Sequence, residues 1–401
     1  MARQEQRWIL DTLLGSGGID VLHPNAQGIF EQFGYDHADI AEVFSRANAA
    51  SMMTKAWESV GLARERRFRW AVQEGFERAA AGLALRASLL YGRAQYTILA
   101  DTARKRELHG RCIDLYAEVS RRAPTRVERI EIPFGDHTVY VVLHLPDTDA
   151  PAPCLLMIPG MDMFKEEWHQ FAQRWAVPQG LAAVSIDGPG QGETRLNGLA
   201  VDLTNYEEAV SAVIDHLVTL PEVDEERIGV LGISMGSYWA TRIAAHDRRV
   251  KAAATALSCH TLKGQVTIFT AAQPKFINTF MYMSGITDED QFTRTVVEGM
   301  GLGDVLDALA CPVLLVAGEF DELTPTAETV GVYDRITAPK ELWVYEDEFH
   351  PLGSVAGELL PIMVDWVLAR LGGAEPTRDR RLFIDRAGQA WPDAPVLTAH
   401  R

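Results

Sequence analysis

A regular alternation of short apolar runs and longer helical stretches, beginning near Arg126 and continuing to about Leu371, is the strongest constraint on the fold. Runs such as 154–158 and 312–317 are too short for helices and are apolar at every position. Strands that are buried on both faces have this pattern, and parallel strands need a crossover segment between them, usually a helix. We therefore expect an α/β fold: a mostly parallel sheet with helices on both faces.

A β-hairpin is expected just before this alternation, from 127–132 and 138–143 with a turn around Gly135. The predicted strands that follow are 154–158, 181–186, 227–232, 251–257, 312–317 and 341–345. The predicted helices between and after them are 166–175, 206–220, 235–245, 326–336 and 355–371.

The first 125 residues have helical periodicity and no strand alternation. One apolar stripe contains Leu83, Ala87, Leu90, Tyr91, Ala94 and Ile98. This spacing predicts an amphipathic helix, and similar helices are expected near 39–60, 68–81 and 102–121. After about Glu375 the chain becomes polar, which favours an irregular tail. The predicted domains are a helical cap over 1–125, a catalytic domain over 126–373 and a tail or arm over 374–401.

Charge and composition narrow the possible partners. The chain has 38 Lys and Arg against 55 Asp and Glu, a net charge of −17, which disfavours binding to nucleic acid or to an anionic membrane. The start has no apolar segment typical of a secretion signal, and no uncharged apolar run reaches the ~18 residues of a membrane span. The four cysteines are scattered, which favours buried free thiols. We expect a cytoplasmic protein that acts on a small-molecule substrate.

The most informative motif is Gly232-Ile-Ser234-Met235-Gly236, a G-x-S-x-G between a predicted strand and a predicted helix. In this context the serine lies on a sharp strand-to-helix turn, and the glycines avoid collisions across it. The hydroxyl of Ser234 is then presented at the carboxyl edge of the sheet, where ligands of α/β folds bind. The alternative is a Gly-Ser turn that merely begins a helix.

A serine nucleophile needs a base and an acid that orients the base. Asp321 follows the predicted strand 312–317, and His350 follows the strand 341–345, so both are expected at the same edge of the sheet. Glu319 and Glu322 are neighbouring candidates for the acid, but Asp321 is favoured. The order Ser, Asp, His along the chain is the one that α/β-hydrolases use.

An oxyanion hole requires two backbone N–H donors near the serine. One is expected to be that of Met235, directly after Ser234, and the other that of Met161, in the loop after the strand ending at Ile158.

Three further stretches support a resemblance to a known family: Gly160 to Glu167, Asp187-Gly-Pro-Gly-Gln-Gly-Glu193, and Arg86 to Tyr91 with Ala94 and Gln95. With the serine motif, they make the chain resemble the α/β-hydrolase superfamily from Arg126 to about Leu371. More narrowly, it resembles the group with a helical N-terminal domain that includes dihydroxypseudooxynicotine hydrolase, fungal polyketide-shortening hydrolases and fermentation-respiration-switch-type esterases. The resemblance implies a helical domain covering the site, and several members of the group hydrolyse a carbon–carbon bond beside a carbonyl.

Other residues are candidates for substrate binding. His260 follows a predicted strand, and Asp162 lies beside the proposed oxyanion loop; either could hold a substrate oxygen or protonate a leaving carbon. The alternative for both is a structural hydrogen bond. The stretch 269–283, rich in Met and aromatic residues, could line the pocket or belong to the ordinary core.

The sequence predicts neither a cofactor nor a metal. The loop that begins at Asp187 lacks the Gly-Lys-Ser/Thr ending of a phosphate-binding loop, and no His, Cys and carboxylate residues have metal-ligand spacing.

The expected function is that of a serine hydrolase acting on a carbon–carbon bond beside a carbonyl, in a β-diketone, polyketide-like or aromatic ketone substrate. The alternatives are a carboxylesterase, a non-hydrolytic acyltransferase or cyclase, and a ligand-binding pseudoenzyme. Related architectures suggest a homodimer.

Overall fold

The computed structural model describes residues 25–264, 267–271, 274–374 and 379–392, together with residue 394. Its N-terminal part is helical, as predicted. The helices are α1 (Ala26–Gln32), α2 (His37–Arg46), α3 (Met53–Gln73), α4 (Glu77–Tyr96) and α5 (Ala103–Arg122), with a 3₁₀ turn at Ala50–Met52.

Two predicted helix boundaries in this part are wrong. The stretch 39–60 is interrupted between α2 and α3, and 68–81 is interrupted between α3 and α4. The second interruption contains Gly75, whose φ of +76° is incompatible with a continuing right-handed helix. The apolar stripe of 83–98 falls largely within α4, as the periodicity predicted.

A ten-stranded sheet follows in chain order with intervening helices. The strands are β1 (Val127–Phe134), β2 (His137–His144), β3 (Ala152–Ile158), β4 (Ala182–Asp187), β5 (Val223–Ile233), β6 (Val250–Ala256), β7 (Val313–Gly318), β8 (Lys340–Tyr345), β9 (Arg380–Ile384) and β10 (Ala390–Pro392). Their order in the sheet is β1-β2-β4-β3-β5-β6-β7-β8-β9-β10. The strands from β4 to β9 in this order are parallel, while β1, β2 and β10 pair antiparallel. The predicted mostly parallel sheet is confirmed.

The helices of this region are α6 (Gly192–Leu196), α7 (Asn205–Leu217), α8 (Met235–His246), α9 (Pro274–Ser284), α10 (Glu289–Phe292), α11 (Thr326–Arg335) and α12 (Ala356–Leu371). Short helical turns occupy 165–179, 267–271, 293–297 and 306–308. The predicted single helix over 166–175 is therefore wrong: this stretch is a succession of 3₁₀, α and π turns.

Alternating side chains of the central strands enter two apolar layers. On β3, Leu156 and Ile158 pack with α7 and α8 on one side of the sheet, whereas Leu155 and Met157 pack on the other side. The second layer also contains Leu89 and Tyr91 of α4. The N-terminal helices and the sheet share a continuous apolar cluster. The helices therefore pack directly against the sheet.

In the C-terminal region, residues 379–392 differ from the expected irregular tail. Strand β9 adds to β8 in parallel, and β10 folds back on β9 to form the edge of the sheet. The short apolar run Leu382-Phe383-Ile384 explains this: Leu382 is buried, and Phe383 and Ile384 pack against the two apolar layers.

All four cysteines are buried and unbridged, as predicted. Among the described residues, no helix is long and apolar enough to cross a membrane.

Candidate active site

Ser234 lies on a strained turn between β5 and α8. Its φ of 54° and ψ of −129° are unusual for a residue other than glycine, and its N–H is held by the carbonyl of Ala256 on β6 at 3.0 Å. A Cβ on Gly232 would lie 2.1 Å from the carbonyl oxygen of Gly236, and one on Gly236 would lie 2.2 Å from that of Ile158. Both glycines are therefore required for the turn that presents the serine hydroxyl.

The structure brings the three predicted residues together at the carboxyl edge of the sheet. The Ser234 hydroxyl lies 2.9 Å from Nε2 of His350, and Nδ1 of His350 lies 2.9 Å from Oδ2 of Asp321. The imidazole can therefore accept the serine proton on one nitrogen while donating to the carboxylate from the other.

The carboxylate of Asp321 is fixed by its own loop. Its Oδ1 accepts backbone N–H groups from Leu323 at 3.0 Å and Thr324 at 2.8 Å, and its side chain is fully buried. These bonds direct Oδ2 of Asp321 at His350. This arrangement favours Asp321 over its acidic neighbours as the residue that orients the base.

Glu319 and Glu322 hold the histidine loop instead. Glu319 accepts the N–H of Asp347 at 3.0 Å, and Glu322 accepts the backbone N–H of His350 at 2.9 Å. The two loops approach so closely that a Cβ on Gly318 would lie 2.5 Å from the carbonyl oxygen of Glu348.

The electrostatics of His350 suit a base that becomes charged. Burial by itself lowers the pKa of His350, but the charge of Asp321 and its hydrogen bond outweigh this effect and raise the pKa above its ordinary value. The imidazolium formed by proton transfer is thereby stabilised.

The loop after β3, residues 159–164, lies against the serine and is named the oxyanion loop for its proposed role. A Cβ on Gly160 would lie 3.2 Å from Cβ of Ser234. This contact places the Gly160–Met161 peptide beside the nucleophile, as an oxyanion donor requires. Met235 begins α8, so its backbone N–H has no acceptor one helical turn earlier.

The two substrate-binding candidates have different surroundings. The carboxylate of Asp162 lies 3.4 Å from the guanidinium of Arg93 and 3.9 Å from the ammonium of Lys275. His260 is fully buried, and its ring nitrogens have no hydrogen-bond partner among the described residues. Burial lowers the pKa of His260 to about 3, so its ring is neutral near neutral pH and is a poor proton donor.

A narrow cavity borders the oxyanion loop. Its lining comes from α4, the α4–α5 connection and α5, from the oxyanion loop, from the start of α6 and the loop before it, and from α9. The lining residues are Gln95, Tyr96, Leu99, Lys105, Met161, Met163, Gly190, Gln191, Gly192, Thr279, Tyr282 and Met283. Three of these residues belong to the stretch 269–283 that the sequence suggested as pocket lining, whereas Phe269 and Phe280 of that stretch are core.

Lys105 is a lining residue that the sequence did not single out, because one lysine in an amphipathic helix carries no distinguishing pattern. Its ammonium donates to the carbonyls of Gln95 at 3.1 Å and Ile98 at 3.0 Å and lies 4.6 Å from the centre of the Tyr282 ring. Burial, aided by the positive charge of Arg195, lowers the pKa of Lys105 to about 7.

The stretch that begins at Asp187 is connected to the loop after β3 by hydrogen bonds and buried ion pairs. It has no phosphate-binding motif. The Asp187 carboxylate accepts the backbone N–H groups of Lys165 and Glu193, each at 2.8 Å. The ammonium of Lys165 is completely buried between Asp187, Glu193 and Glu166, at 2.9, 3.0 and 2.7 Å. A Cβ on Gly192 would lie 2.2 Å from the Asp187 carboxylate, which explains the glycine there.

Within the part of the chain that the structure describes, no group of three or more His, Cys, Asp or Glu residues could hold a metal ion.

Comparisons with known proteins identify the family of the chain. A family model described as "Esterase FrsA-like" matches residues 49–293. The 2,6-dihydropseudooxynicotine hydrolase of Paenarthrobacter nicotinovorans is 27% identical over 315 residues, which cover 78% of this chain and 82% of that protein. Hydrolase LUC6 of a Fusarium species is 26% identical over 270 residues, covering 55% of this chain and 63% of that protein.

The fold is also that of a solved structure. The crystal structure of the 2,6-dihydroxy-pseudo-oxynicotine hydrolase superposes with a TM-score of 0.76, at 24% identity, over 88% of this chain and 97% of that chain. Because the family model matches more than half of the sequence, the chain belongs to the FrsA-like esterase family and is an enzyme with the α/β-hydrolase fold.

Proposed function

We propose that this enzyme is a serine hydrolase that works through an acyl-enzyme on Ser234, and that it cleaves a carbon–carbon bond next to a carbonyl. The observation that supports the serine mechanism most directly is the pair of 2.9 Å contacts linking Ser234, His350 and Asp321. A ligand-binding pseudoenzyme has no need of an activated nucleophile, so the intact arrangement disfavours that alternative.

In the first half of the reaction, His350 removes the proton from the Ser234 hydroxyl as its oxygen attacks the substrate carbonyl. The backbone N–H groups of Met161 and Met235 stabilise the oxyanion. The tetrahedral intermediate collapses, the carbon–carbon bond breaks, and its electron pair leaves with the carbon as an enolate.

The enolate needs a proton, and the imidazolium of His350 is the group that carries one. His260 and Asp162 were alternative donors on sequence grounds. However, burial keeps His260 neutral, and the carboxylate of Asp162 lies 3.4 Å from the guanidinium of Arg93 and 3.9 Å from the ammonium of Lys275. In the second half, His350 activates water, which attacks the acyl group and frees Ser234.

Ester hydrolysis is the second candidate, because the family model that matches this chain is that of an esterase. The same residues serve both reactions. An ester expels an alkoxide, however, whereas a leaving carbon needs an electron-withdrawing group beside it. Acyl transfer and ring closure follow the same first half and differ only in what attacks the acyl-enzyme.

The test is kcat/KM on an aryl β-diketone and on an ester of the same shape, with Ser234→Ala as the blank. Preference for the diketone, abolished in the blank, supports carbon–carbon hydrolysis; preference for the ester identifies a capped carboxylesterase. Product masses that sum to substrate plus one water identify hydrolysis, and any other sum identifies transfer or cyclisation. Full activity of the Ser234→Ala variant contradicts the proposal.

A further inference from the structure

Three consecutive carbonyls of the oxyanion loop are held by side chains from outside the loop. Gly160 accepts from Nε2 of Gln191 at 2.8 Å, Met161 accepts from the hydroxyl of Tyr96 at 3.2 Å, and Asp162 accepts from Arg93 at 3.1 Å. Gln191 comes from the stretch after β4, whereas Arg93 and Tyr96 come from the last turn of α4.

The bond to Gly160 has a direct geometric consequence for the proposed oxyanion hole. In a trans peptide the C=O and the following N–H lie in one plane and point in opposite directions. Fixing the direction of the Gly160 carbonyl therefore fixes the direction of the Met161 N–H.

Gln191 is itself oriented. Its Oε1 accepts the hydroxyl proton of Tyr206 at 2.7 Å, so the amide nitrogen is the atom left to face Gly160. The ring of Tyr206 stacks on Trp239 of α8, with centroids 4.1 Å apart and an interplanar angle of 4°. Gln191 is 2% exposed and Tyr206 is 1% exposed, which shields these bonds from competing water. A continuous set of contacts thus runs from the helix behind Ser234 to the peptide in front of it.

We propose that Gln191, supported by Tyr96 of the helical domain, is a positioning residue that aims the Met161 N–H at the oxyanion. This inference rests on the proposed function. It also gives the N-terminal helices a part in transition-state stabilisation, beyond covering the site.

An oxyanion donor acts more strongly on the transition state than on the bound substrate, so a misaligned donor lowers kcat more than it raises KM. Complete loss of one donor costs about 10²–10³-fold in kcat. Misalignment of a donor that is still present costs less, about 10–100-fold.

The experiment compares Gln191→Met and Tyr96→Phe with two control variants. Gln173→Met removes amide hydrogen bonds to Thr125 and His144, and Tyr116→Phe removes a buried hydroxyl that bonds His169. Each enzyme is measured for kcat, for KM, for the inhibition constant of an aryl boronic acid, which forms a tetrahedral adduct on the serine, and for Tm.

We expect Gln191→Met to lower kcat about 10–100-fold, to change KM less than about threefold, and to weaken boronate binding by a factor similar to the loss in kcat. Tyr96→Phe should show the same pattern to a smaller extent, while both controls retain wild-type values. Three results would overturn the inference: wild-type kcat in Gln191→Met, an increase in KM alone, or the same loss of kcat in Gln173→Met.

Failure of this inference is distinguishable from failure of the proposed function. If Ser234→Ala is inactive but Gln191→Met is normal, the nucleophile stands and the positioning role is wrong. If Ser234→Ala remains active, the proposed function fails, and with it the oxyanion hole that Gln191 would serve.

Discussion

Gly92 on α4 faces the ring of Phe164 in the oxyanion loop so closely that a Cβ on Gly92 would lie 2.1 Å from ring atom Cζ. Phe164 is fully buried, and the ring occupies the space that any other residue at position 92 would fill. The helical region and the loop that passes over Ser234 are therefore fitted to each other at this point.

We predict that Gly92→Ala destabilises the protein by about 1–3 kcal/mol, because the added methyl group must displace Phe164 or the backbone of α4. Displacement of Phe164 should also lower kcat, since Phe164 belongs to the oxyanion loop. The free energy of unfolding from urea titration and kcat on the best substrate check this prediction.

Gly82→Ala on the same helix is the matched control. A Cβ there meets nothing within 4 Å, so the variant should be neutral or more stable by up to about 1 kcal/mol, as alanine is the better helix former. Equal losses in the two variants would show that the contact with Phe164 is not the cause of the loss in Gly92→Ala.

Asp321→Asn should lower kcat by about 10⁴-fold, because the amide supports the wrong tautomer of His350 and does not stabilise the imidazolium. Glu319→Gln and Glu322→Gln keep an acceptor oxygen for the N–H groups that these side chains bind, so each should cost less than about tenfold. Steady-state kinetics of the three variants ranks the acids; a larger loss in either glutamine variant would reassign the acid.

The pH profile follows from the same interaction. His350 acts as a base when neutral, so kcat/KM should rise with pH through its pKa, which lies above the ordinary value of 6.5. In Asp321→Asn the largest influence that raises the pKa of His350 is gone, while burial still lowers it, so the acidic limb of the residual activity should move to lower pH. A limb that stays in place, or moves to higher pH, would show that Asp321 does not set the pKa of His350.

The buried ion pairs of Lys165 should stabilise the folded protein at a place away from the reacting atoms. Lys165→Met leaves the Asp187, Glu193 and Glu166 carboxylates without their shared cation, and we expect a loss of about 3–5 kcal/mol in the free energy of unfolding near pH 8. Burial already raises the pKa of Glu166 to about 7, and removal of the cation should raise it further. Protonation of Glu166 below this pKa removes one of the three negative charges, so the loss should be smaller near pH 5.5.

Lys55→Met on the exposed face of α3 is the control for Lys165→Met and should change stability by less than about 0.5 kcal/mol. A loss for Lys165→Met that is independent of pH would contradict the electrostatic explanation.

The sequence was most informative where a local pattern determines the structure. Strand β5, the turn at Ser234 and helix α8 follow from an apolar run, two glycines and helical periodicity. The positions of Asp321 and His350 follow from the rule that loops after parallel strands meet at one edge of the sheet. The structure places these three side chains in contact.

Other features depend on contacts between distant parts of the chain, which a single sequence does not show. Gln191, Tyr96 and Arg93 meet the oxyanion loop only because α4 and the stretch after β4 converge on it. Strand β9 forms because its short apolar run Leu382-Phe383-Ile384 meets the free edge of β8, and the sequence does not show that this edge is available. The stretch 166–175 contains enough helix-forming residues to predict one helix, but in the structure it belongs to a succession of short turns over 165–179.

The most direct test of the account is covalent labelling of the nucleophile by a fluorophosphonate, read by intact mass and by peptide mapping. We predict that the wild-type enzyme gains one phosphonyl group on the peptide containing Ser234, and that Ser234→Ala gains none. His350→Ala should be labelled much more slowly, because the serine then lacks its base. An unlabelled wild-type enzyme, or equal labelling of Ser234→Ala, would contradict the assignment of Ser234 as the nucleophile.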